Sequence, residues 1–203
     1  MSEPALNALI VSNIRDLDAA AYHLTNSLQP EIARALDEVA DPLRTEAGWD
    51  GEADWNNDGI WLAPMDWRSP DGDGPEDHMC TFWLTHDFDE LEQQDTFWLT
   101  ELVGEGRAKL GFCWSRENVN KPRWRKELAK NSALIEEARK LGFSYFEKSG
   151  QFFLPVTISA AELARAVAEE APEQALKPFE DALRKLIAVK PFFDRLLAAV
   201  VVD

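Results

Sequence analysis

The sequence predicts an α+β protein: an antiparallel β-meander of about five to six strands packed with N-terminal and C-terminal helices. Three observations predict it. Apolar residues recur at helical spacing at both ends of the chain, short alternating segments bounded by turn residues fill the middle, and no strand–helix–strand repeat is present. With 203 residues, 45% of them hydrophobic, the chain suits one domain over 1–203. We divide it into a helical part (1–47), a mainly β part with one inserted helical segment (48–158), and C-terminal helices (159–203).

The helical part contains two predicted helices. Apolar residues recur at helical spacing from Leu6 to Leu28, and Ser2 is a suitable cap for this first helix. A second helix begins at Pro30, and Pro42 should kink or end it. Both helices are amphipathic, so we expect each to pack its apolar face against another part of the structure.

The β part begins after Gly48, and three of its strands are predicted over 80–87, 95–103 and 107–114. Gly104-Glu105-Gly106 predicts a tight hairpin turn between the last two strands. The pentapeptide Thr-Phe-Trp-Leu-Thr occurs in the first two of them, at 81–85 and 96–100. In a strand its Phe and Leu would share one face of the sheet.

The inserted helical segment is predicted over 121–141, with a break near Asn131 and a stop at Gly142. A second hairpin follows, turning at Ser149-Gly150. Pro155 lies in its second strand and favours an edge position or a bulge there, because proline cannot donate a ladder hydrogen bond.

The C-terminal helices begin at a capping box, Ser159-Ala160-Ala161-Glu162. Pro172 and Pro191 are expected to divide the remaining stretch into two further helices.

The charge is unevenly distributed along the chain. The net charge is −16, and residues 1–95 hold 22 acidic but only 4 basic side chains, whereas 96–203 hold 15 acidic and 17 basic ones. This balance opposes direct binding to a nucleic-acid backbone or an anionic membrane surface. It favours a basic protein partner.

The leading functional hypothesis is therefore a non-enzymatic interaction or regulatory protein that presents the acidic segment 41–95 to a basic partner. The residues predicted to bind that partner lie on or beside the least structured loop: Asp71, Asp73, Glu76, Asp77, Asp87, Asp89 and Glu90. The basic segment 107–130 leaves two structural alternatives open. It can pair with the acidic face of its own chain, or with that of a second copy to give a homodimer through acidic and basic complementarity.

A calcium-loop pattern provides the alternative hypothesis. Asp54, Asn56 and Asp58 followed by Gly59 fit its first six positions, where alternate oxygens converge on a hard cation such as Ca²⁺ or Mg²⁺. The twelfth position, which should carry a carboxylate, is Met65. The same residues also fit an ordinary turn before a strand.

The alternative function is a metal-dependent hydrolase or nuclease-like enzyme that uses carboxylates of the 50–66 loop and the sheet. One such arrangement combines the acids Asp89, Glu101 and Glu105 with Lys109 on a neighbouring strand. No catalytic residue is assigned, because the chain carries no nucleophile elbow, P-loop or dinucleotide-binding glycine pattern.

The two cysteines and the absence of a long apolar run bear on location. Cys80 and Cys113 are too few for a disulfide framework, no run of about 18 apolar residues exists, and the acidic N-terminus lacks secretory character. We therefore expect a cytoplasmic protein. Whether its eight tryptophans fill a core or line a cleft is open at this stage.

Overall fold

A computed structural model of the chain describes residues 2–68, 77–87, 96–116 and 119–200. Its strands are β1 (Trp49–Asp54), β2 (Gly59–Pro64), β3 (Cys80–His86), β4 (Leu110–Arg116), β5 (Ser144–Phe146) and β6 (Gln151–Pro155). They form one sheet in the order β1-β2-β3-β4-β6-β5, and every neighbouring pair is antiparallel. The predicted α+β class with an antiparallel meander-like sheet is confirmed.

Helices precede, interrupt and follow the sheet. The α-helices are α1 (Glu3–Ser12), α2 (Ile14–His23), α3 (Gln29–Glu46), α4 (Trp98–Leu102), α5 (Lys121–Lys130), α6 (Ser132–Lys140), α7 (Ala160–Ala168) and α8 (Lys177–Ala199). A single π-helical turn, Leu24–Leu28, joins α2 to α3, and 3₁₀ turns lie at Met65–Trp67 and Pro172–Ala175.

One face of the sheet forms the main hydrophobic core. On this face Phe82 of β3 lies directly opposite Trp114 of β4, and Trp114 lies opposite Phe152 of β6. Phe193 of α8 covers them, with its ring 4.7 Å from that of Trp114 and 5.3 Å from that of Phe82. Because strand side chains alternate between faces, the neighbouring positions point to the opposite side of the sheet.

The strand predicted over 95–103 is wrong, because the segment contains the helix α4. Leu99, Leu102 and Val103 have the three- and four-residue spacing that places side chains on one side of a helix. Gly104, with φ +72°, follows the end of α4, and its N–H donates to the carbonyl of Glu101. The glycine therefore ends a helix instead of turning a hairpin, and β4 pairs with β3.

The later elements agree better with the sequence. The predicted strand 80–87 is β3, the helix break at Asn131 separates α5 from α6, and Gly142 follows the end of α6 with φ +87°. The second hairpin is formed by β5 and β6. Pro155 is the last residue of β6, beyond its pairing with β5, so its missing N–H removes no bond on that side.

Neither Pro42 nor Pro191 ends the helix in which it lies. Pro42 lies inside α3, which continues to Glu46, and Pro191 lies inside α8. The predicted division at Pro191 is therefore wrong. The buried rings of Phe192 and Phe193 follow directly, and their packing outweighs the loss of one helical hydrogen bond.

The N-terminal helices differ from the expectation in their packing. Every residue of α1 and α2 is exposed, whereas α3 buries seven residues. We call Glu3–His23 the arm. The prediction that the first helix packs against another part of the structure is wrong for the arm in a single copy of the chain.

Candidate functional site

Strand β1 forms one edge of the sheet and carries three carboxylates in a row. Asp50, Glu52 and Asp54 occupy alternate positions, so their side chains point to the same face, away from the main core. Glu52 is exposed, and Asp50 and Asp54 are half-buried. An edge strand also leaves a row of backbone N–H and C=O groups open to another chain.

Helix α3 places a fourth carboxylate beside the end of β1. Oδ1 of Asp37 accepts a hydrogen bond of 2.9 Å from the backbone N–H of Trp55, just after β1. Burial raises the pKa of Asp37, the hydrogen bond from Trp55 opposes the rise, and the carboxylates of Asp54 and Glu38 increase it further. The raised pKa of Asp37 therefore reflects its burial first, and the nearby carboxylates of Asp54 and Glu38 make a smaller contribution. We call Asp37, Asp50, Glu52, Asp54 and Asp58 the acidic edge.

Few cations neutralise the acidic edge. Nε2 of His78 lies 3.5 Å from Oδ2 of Asp50. Arg44 pairs with Asp41 and donates to the carbonyl oxygen of Trp49. Within the described ranges, neither Glu52 nor Asp58 forms an ion pair. The acidic edge therefore presents charge to the surroundings.

Most of the predicted partner-binding residues cannot be compared with this arrangement. Five of them lie outside the described residues: Asp71, Asp73, Glu76, Asp89 and Glu90. Asp77 and Asp87 are described, and both are half-buried. Asp87 is engaged at the end of the β3–β4 pair, where its backbone N–H donates to the carbonyl of Lys109 and its Oδ1 accepts from the N–H of Lys109.

The calcium-loop residues form the turn of the β1–β2 hairpin. Both carboxylate oxygens of Asp54 accept from Nδ2 of Asn57 at 2.9 Å, and the N–H groups of Asn57 and Asp58 donate to the carbonyl of Asp54. Asp66, the nearest carboxylate to the twelfth loop position, pairs instead with Lys190. In the part of the chain that the structure describes, no three His, Cys, Asp or Glu side chains are placed to hold a metal ion.

The carboxylates and the lysine of the nuclease-like arrangement lie elsewhere than expected. Glu101 belongs to α4, not to a strand beside Lys109, so that placement is wrong. The Glu101 side chain is 1% exposed and pairs through Oε2 with Nδ1 of His86. Its Oε1 has no hydrogen-bond partner among the described residues. Lys109 and Glu105 are exposed, and Asp89 lies outside the described ranges.

Six of the eight tryptophans divide between the main core and the opposite face of the sheet. Four are buried in the main core: Trp49, Trp67, Trp114 and Trp124. On the opposite face, Glu52, Trp61 and Trp83 lie side by side across β1, β2 and β3. The rings of Trp61 and Trp83 stack at 6.0 Å, and Trp83 borders a pocket of about 290 Å³ together with Cys113.

The basic segment holds its tryptophan inside the protein. Trp124 of α5 is 2% exposed, and its Nε1 donates to the carbonyl of Gly150. Nη1 of Arg125 donates to the carbonyl of Lys148. The indole of Trp124 is therefore not available to stack on a nucleic-acid base.

A second candidate site lies at the base of the arm. It is an apolar groove of about 450 Å³, lined by Leu24, Leu28, Ile32, Phe97, Leu99, Thr100, Val103, Ala160, Leu163, Ala164 and Val167. Sequence reasoning missed this groove. The sequence pattern predicts Leu24 and Leu28 on one helix, Ile32 on a second helix that begins at Pro30, and a strand in place of α4. Helix α7 meets these residues only through the tertiary fold.

The comparisons with known proteins give no family. No protein-family model matches this chain, and neither a curated protein nor a solved structure does. Among the helices that the structure describes, none combines the length and apolar character needed to cross a bilayer.

Proposed function

We propose that this chain is a non-enzymatic interaction or regulatory protein that uses the acidic edge to bind a basic protein partner. The observation that carries the proposal is the row formed by Asp50, Glu52 and Asp54 on an edge strand. Alternate carboxylates on a strand are about 7 Å apart, so an extended or helical cationic segment can meet several of them at once.

The electrostatics of the whole chain support the same partner class. A net charge of −16 attracts cationic surfaces over a longer range than a single ion pair does, and it accelerates association at low ionic strength. The row also lies next to the aromatic pair Trp61 and Trp83. Trp61 is buried, but the half-buried ring of Trp83 can take the guanidinium group of an arginine.

The acidic segments outside the described residues extend this proposal. We expect Asp71, Asp73, Glu76, Asp89 and Glu90 to take part in binding the same partner, since they add negative charge to the acidic segment 41–95 of the sequence. A cytoplasmic location belongs to the proposal as well, and it fits two buried cysteine thiols.

A matched pair of charge variants tests the proposal. The edge variant replaces Glu52 with Gln and both Asp54 and Asp58 with Asn. The control variant, Glu105→Gln with Glu169→Gln and Glu173→Gln, removes the same charge from exposed positions elsewhere. Wild type and both variants are immobilised and exposed to a nuclease-treated lysate at low salt, and proteins eluted in rising salt are quantified by mass spectrometry.

The edge variant should lose at least about tenfold of a specific set of basic proteins, because several charge contacts of up to about 1 kcal/mol each are removed together. The control variant should retain that set. Equal capture by all three proteins, or capture of no specific basic protein by wild type, would show that the acidic edge is not a binding surface.

A further inference from the structure

We propose that two copies of this chain associate antiparallel through α2 of their arms, with the start of each α2 beside the apolar groove of the other copy. The proposal concerns a surface distinct from the acidic edge and does not depend on its function. It rests on the exposure of the arm, on the spacing of its apolar residues, on its continuity with the groove, and on its low charge.

The arm exposes large apolar side chains to water over its whole length. The exposed fractions are 53% for Leu9, 59% for Ile14, 46% for Leu17 and 71% for Tyr22. Helices take most of their stability from packing an amphipathic face, and isolated helices of this length are marginal in water. A partner that covers the apolar face of the arm would account for the stability of its helices.

The apolar residues of α2 and of the π turn follow a coiled-coil repeat. From the start of α2 through the π turn they alternate in steps of three and four residues: Ile14, Leu17, Ala21, Leu24 and Leu28. This is the spacing of the a and d positions along which helices pair. Ile10 continues the spacing in the sequence, but Asn13, with φ −120° and ψ 18°, interrupts the helix between α1 and α2. We call the five residues from Ile14 to Leu28 the seam. A seam of this kind is self-complementary, which is the reason to choose a second copy as its partner.

The seam continues directly into the groove. Leu24 and Leu28 belong to the seam and also line the groove, together with Ile32 of α3. The π turn at Leu24–Leu28 has more residues per turn than an α-helix, so steps of four from Leu24 to Leu28 and to Ile32 stay on one side. A helix that follows the seam is therefore led between α4 and α7.

The charge of the molecule determines the orientation of the pair. Between residues 2 and 28 the charged side chains are few: Glu3, Arg15, Asp16 and Asp18. Most of the net charge of −16 lies beyond the arm. With Leu17 of one copy opposite Ala21 of the other, the two Leu28 residues are about 27 Å apart along the helix axis. Antiparallel arms therefore hold the acidic parts of the two chains that follow Leu28 at opposite ends of this length, about three times the screening distance of about 8 Å in physiological salt.

The seam itself has a consistent antiparallel register. Ile14 meets Leu24 of the second copy, and Leu17 meets its Ala21. The small Ala21 lies at the centre, where it lets the two helices approach closely. The same register brings Asp18 of each copy near Asp18 of the other, which is a repulsive contact close to the two-fold axis.

Sedimentation equilibrium of the full-length chain tests the association. The seam variant is Ile14→Lys with Leu17→Lys. The control variant, Ala19→Lys with Tyr22→Lys, adds the same charge to exposed positions of α2 outside the seam. Wild type and control should be dimers at micromolar concentration, and the seam variant should dissociate with a dissociation constant at least about 100-fold higher.

A single substitution tests the orientation. In the antiparallel pair, Asp18→Asn removes the repulsion at the two-fold axis and should tighten the dimer, roughly two- to fivefold. In a parallel pair Asp18 would instead lie near Asn13 of the second copy, and the substitution would not tighten the dimer. Weaker or unchanged association in this variant overturns the antiparallel arrangement.

Other results overturn the whole proposal. Wild type that stays monomeric at about 100 μM has no self-association of the expected strength. Equal dissociation of the seam and control variants would show that added charge, not the seam, separates the copies. A monomeric wild type whose seam variant loses a captured protein would assign the arm to a foreign helix instead. Circular dichroism and the urea unfolding midpoint are measured for each variant and compared with wild type, to show that the chain outside the arm remains folded.

Discussion

The arm and α8 are built from similar sequence patterns and end in opposite environments. Both are helical, both contain a proline, and both repeat apolar residues at helical spacing. The arm buries no residue, whereas α8 buries eight: Phe179, Ala182, Leu183, Leu186, Val189, Phe192, Phe193 and Leu196. The difference teaches that periodicity predicts a helix and its apolar face, but not whether the covering surface belongs to the same chain.

Side-chain size separates the two helices. The buried face of α8 contains three phenylalanines, and Phe193 alone contacts the rings of Trp67, Phe82, Trp114, Phe143, Phe152 and Phe192. The large apolar side chains of the arm are Leu, Ile, Val and one Tyr. Aromatic rings bury more area per residue and dominate core energetics. We infer that α8 completes the main hydrophobic core, and that the arm takes no part in this core.

The largest expected effect comes from removing the ring of Phe193. Phe193→Ala should lower the free energy of unfolding by about 3–5 kcal/mol, because it leaves a cavity among several rings. The matched substitution Leu17→Ala in the arm should change the stability of the monomer by less than about 0.5 kcal/mol. Urea unfolding at a concentration well below dimerisation measures both. Similar losses in the two variants would mean that the arm is part of the core.

A polar contact that anchors α8 should have the next largest effect. Oδ1 of Asp194 accepts from Nε1 of the buried Trp67, and its Oδ2 accepts from Lys190, which also pairs with Asp66. Burial opposes the charge of Lys190, but the two carboxylates outweigh it and raise its pKa. Asp194→Ala should cost about 1–3 kcal/mol, because the indole N–H is left without an acceptor.

The control for this contact is Asp181→Ala, which removes an exposed ion pair with Lys177 on the same helix. Thermal unfolding should show a change below about 0.5 kcal/mol for this variant. A loss as small in Asp194→Ala would mean that the carboxylate does not hold α8 against the sheet.

A helix cap beside the groove should contribute less. Oγ of Ser159 accepts from the N–H of Glu162, as the capping box predicts. Ser159→Ala should destabilise α7 and lower the free energy of unfolding by about 1 kcal/mol. Ser159→Asp keeps a side-chain oxygen at the cap and should restore most of the loss in the same urea assay. A full loss in both variants would place the role of Ser159 outside capping.

The smallest expected effect concerns pH and the acidic edge. The pKa of Asp37 is raised above its ordinary value of 3.8 by burial, so the folded state binds this proton more readily than the unfolded state does. The resulting stabilisation is complete below 3.8 and is lost as the pH rises through the folded-state pKa. At neutral pH, Asp37→Asn should therefore raise stability, by less than about 1 kcal/mol because water screens a half-buried site.

The amide oxygen of this variant can still accept from the N–H of Trp55, so the hydrogen bond is retained. The advantage of Asn over Asp should shrink as the pH falls toward 3.8. Unfolding midpoints measured from pH 3 to pH 7 show this trend, and a gap that widens toward low pH would contradict it.

Local sequence signals predicted much of the fold, and tertiary pairing decided the rest. The strand at Cys80–His86, the cap at Ser159 and the helix end at Gly142 follow from residues within a few positions. The strand predicted over 95–103 is wrong because the segment carries two conflicting signals. Its aromatic and threonine residues favour a strand, whereas the spacing of Leu99, Leu102 and Val103 fits a helix. Only packing in the folded structure decides between the two.

The sequence predicts the acidic character of the candidate site but not its position in the sheet. The excess of acids before residue 95 is visible in the sequence, and so is the alternation of Asp50, Glu52 and Asp54. That β1 is an edge strand follows from the order of strands in the sheet, which no local pattern encodes. The groove required α4 and α7 to meet the base of the arm, a contact between segments more than 60 residues apart in the chain.

Hydrogen–deuterium exchange at two protein concentrations tests the contrast between the arm and α8 most directly. At about 1 μM the amides of α2 should exchange rapidly, and at about 100 μM they should be protected, because only a second copy covers them. The amides of α8 should be protected equally at both concentrations, because its own chain covers it. Protection of α2 that is strong and independent of concentration would contradict this picture, since it would mean that a single copy already buries its arm.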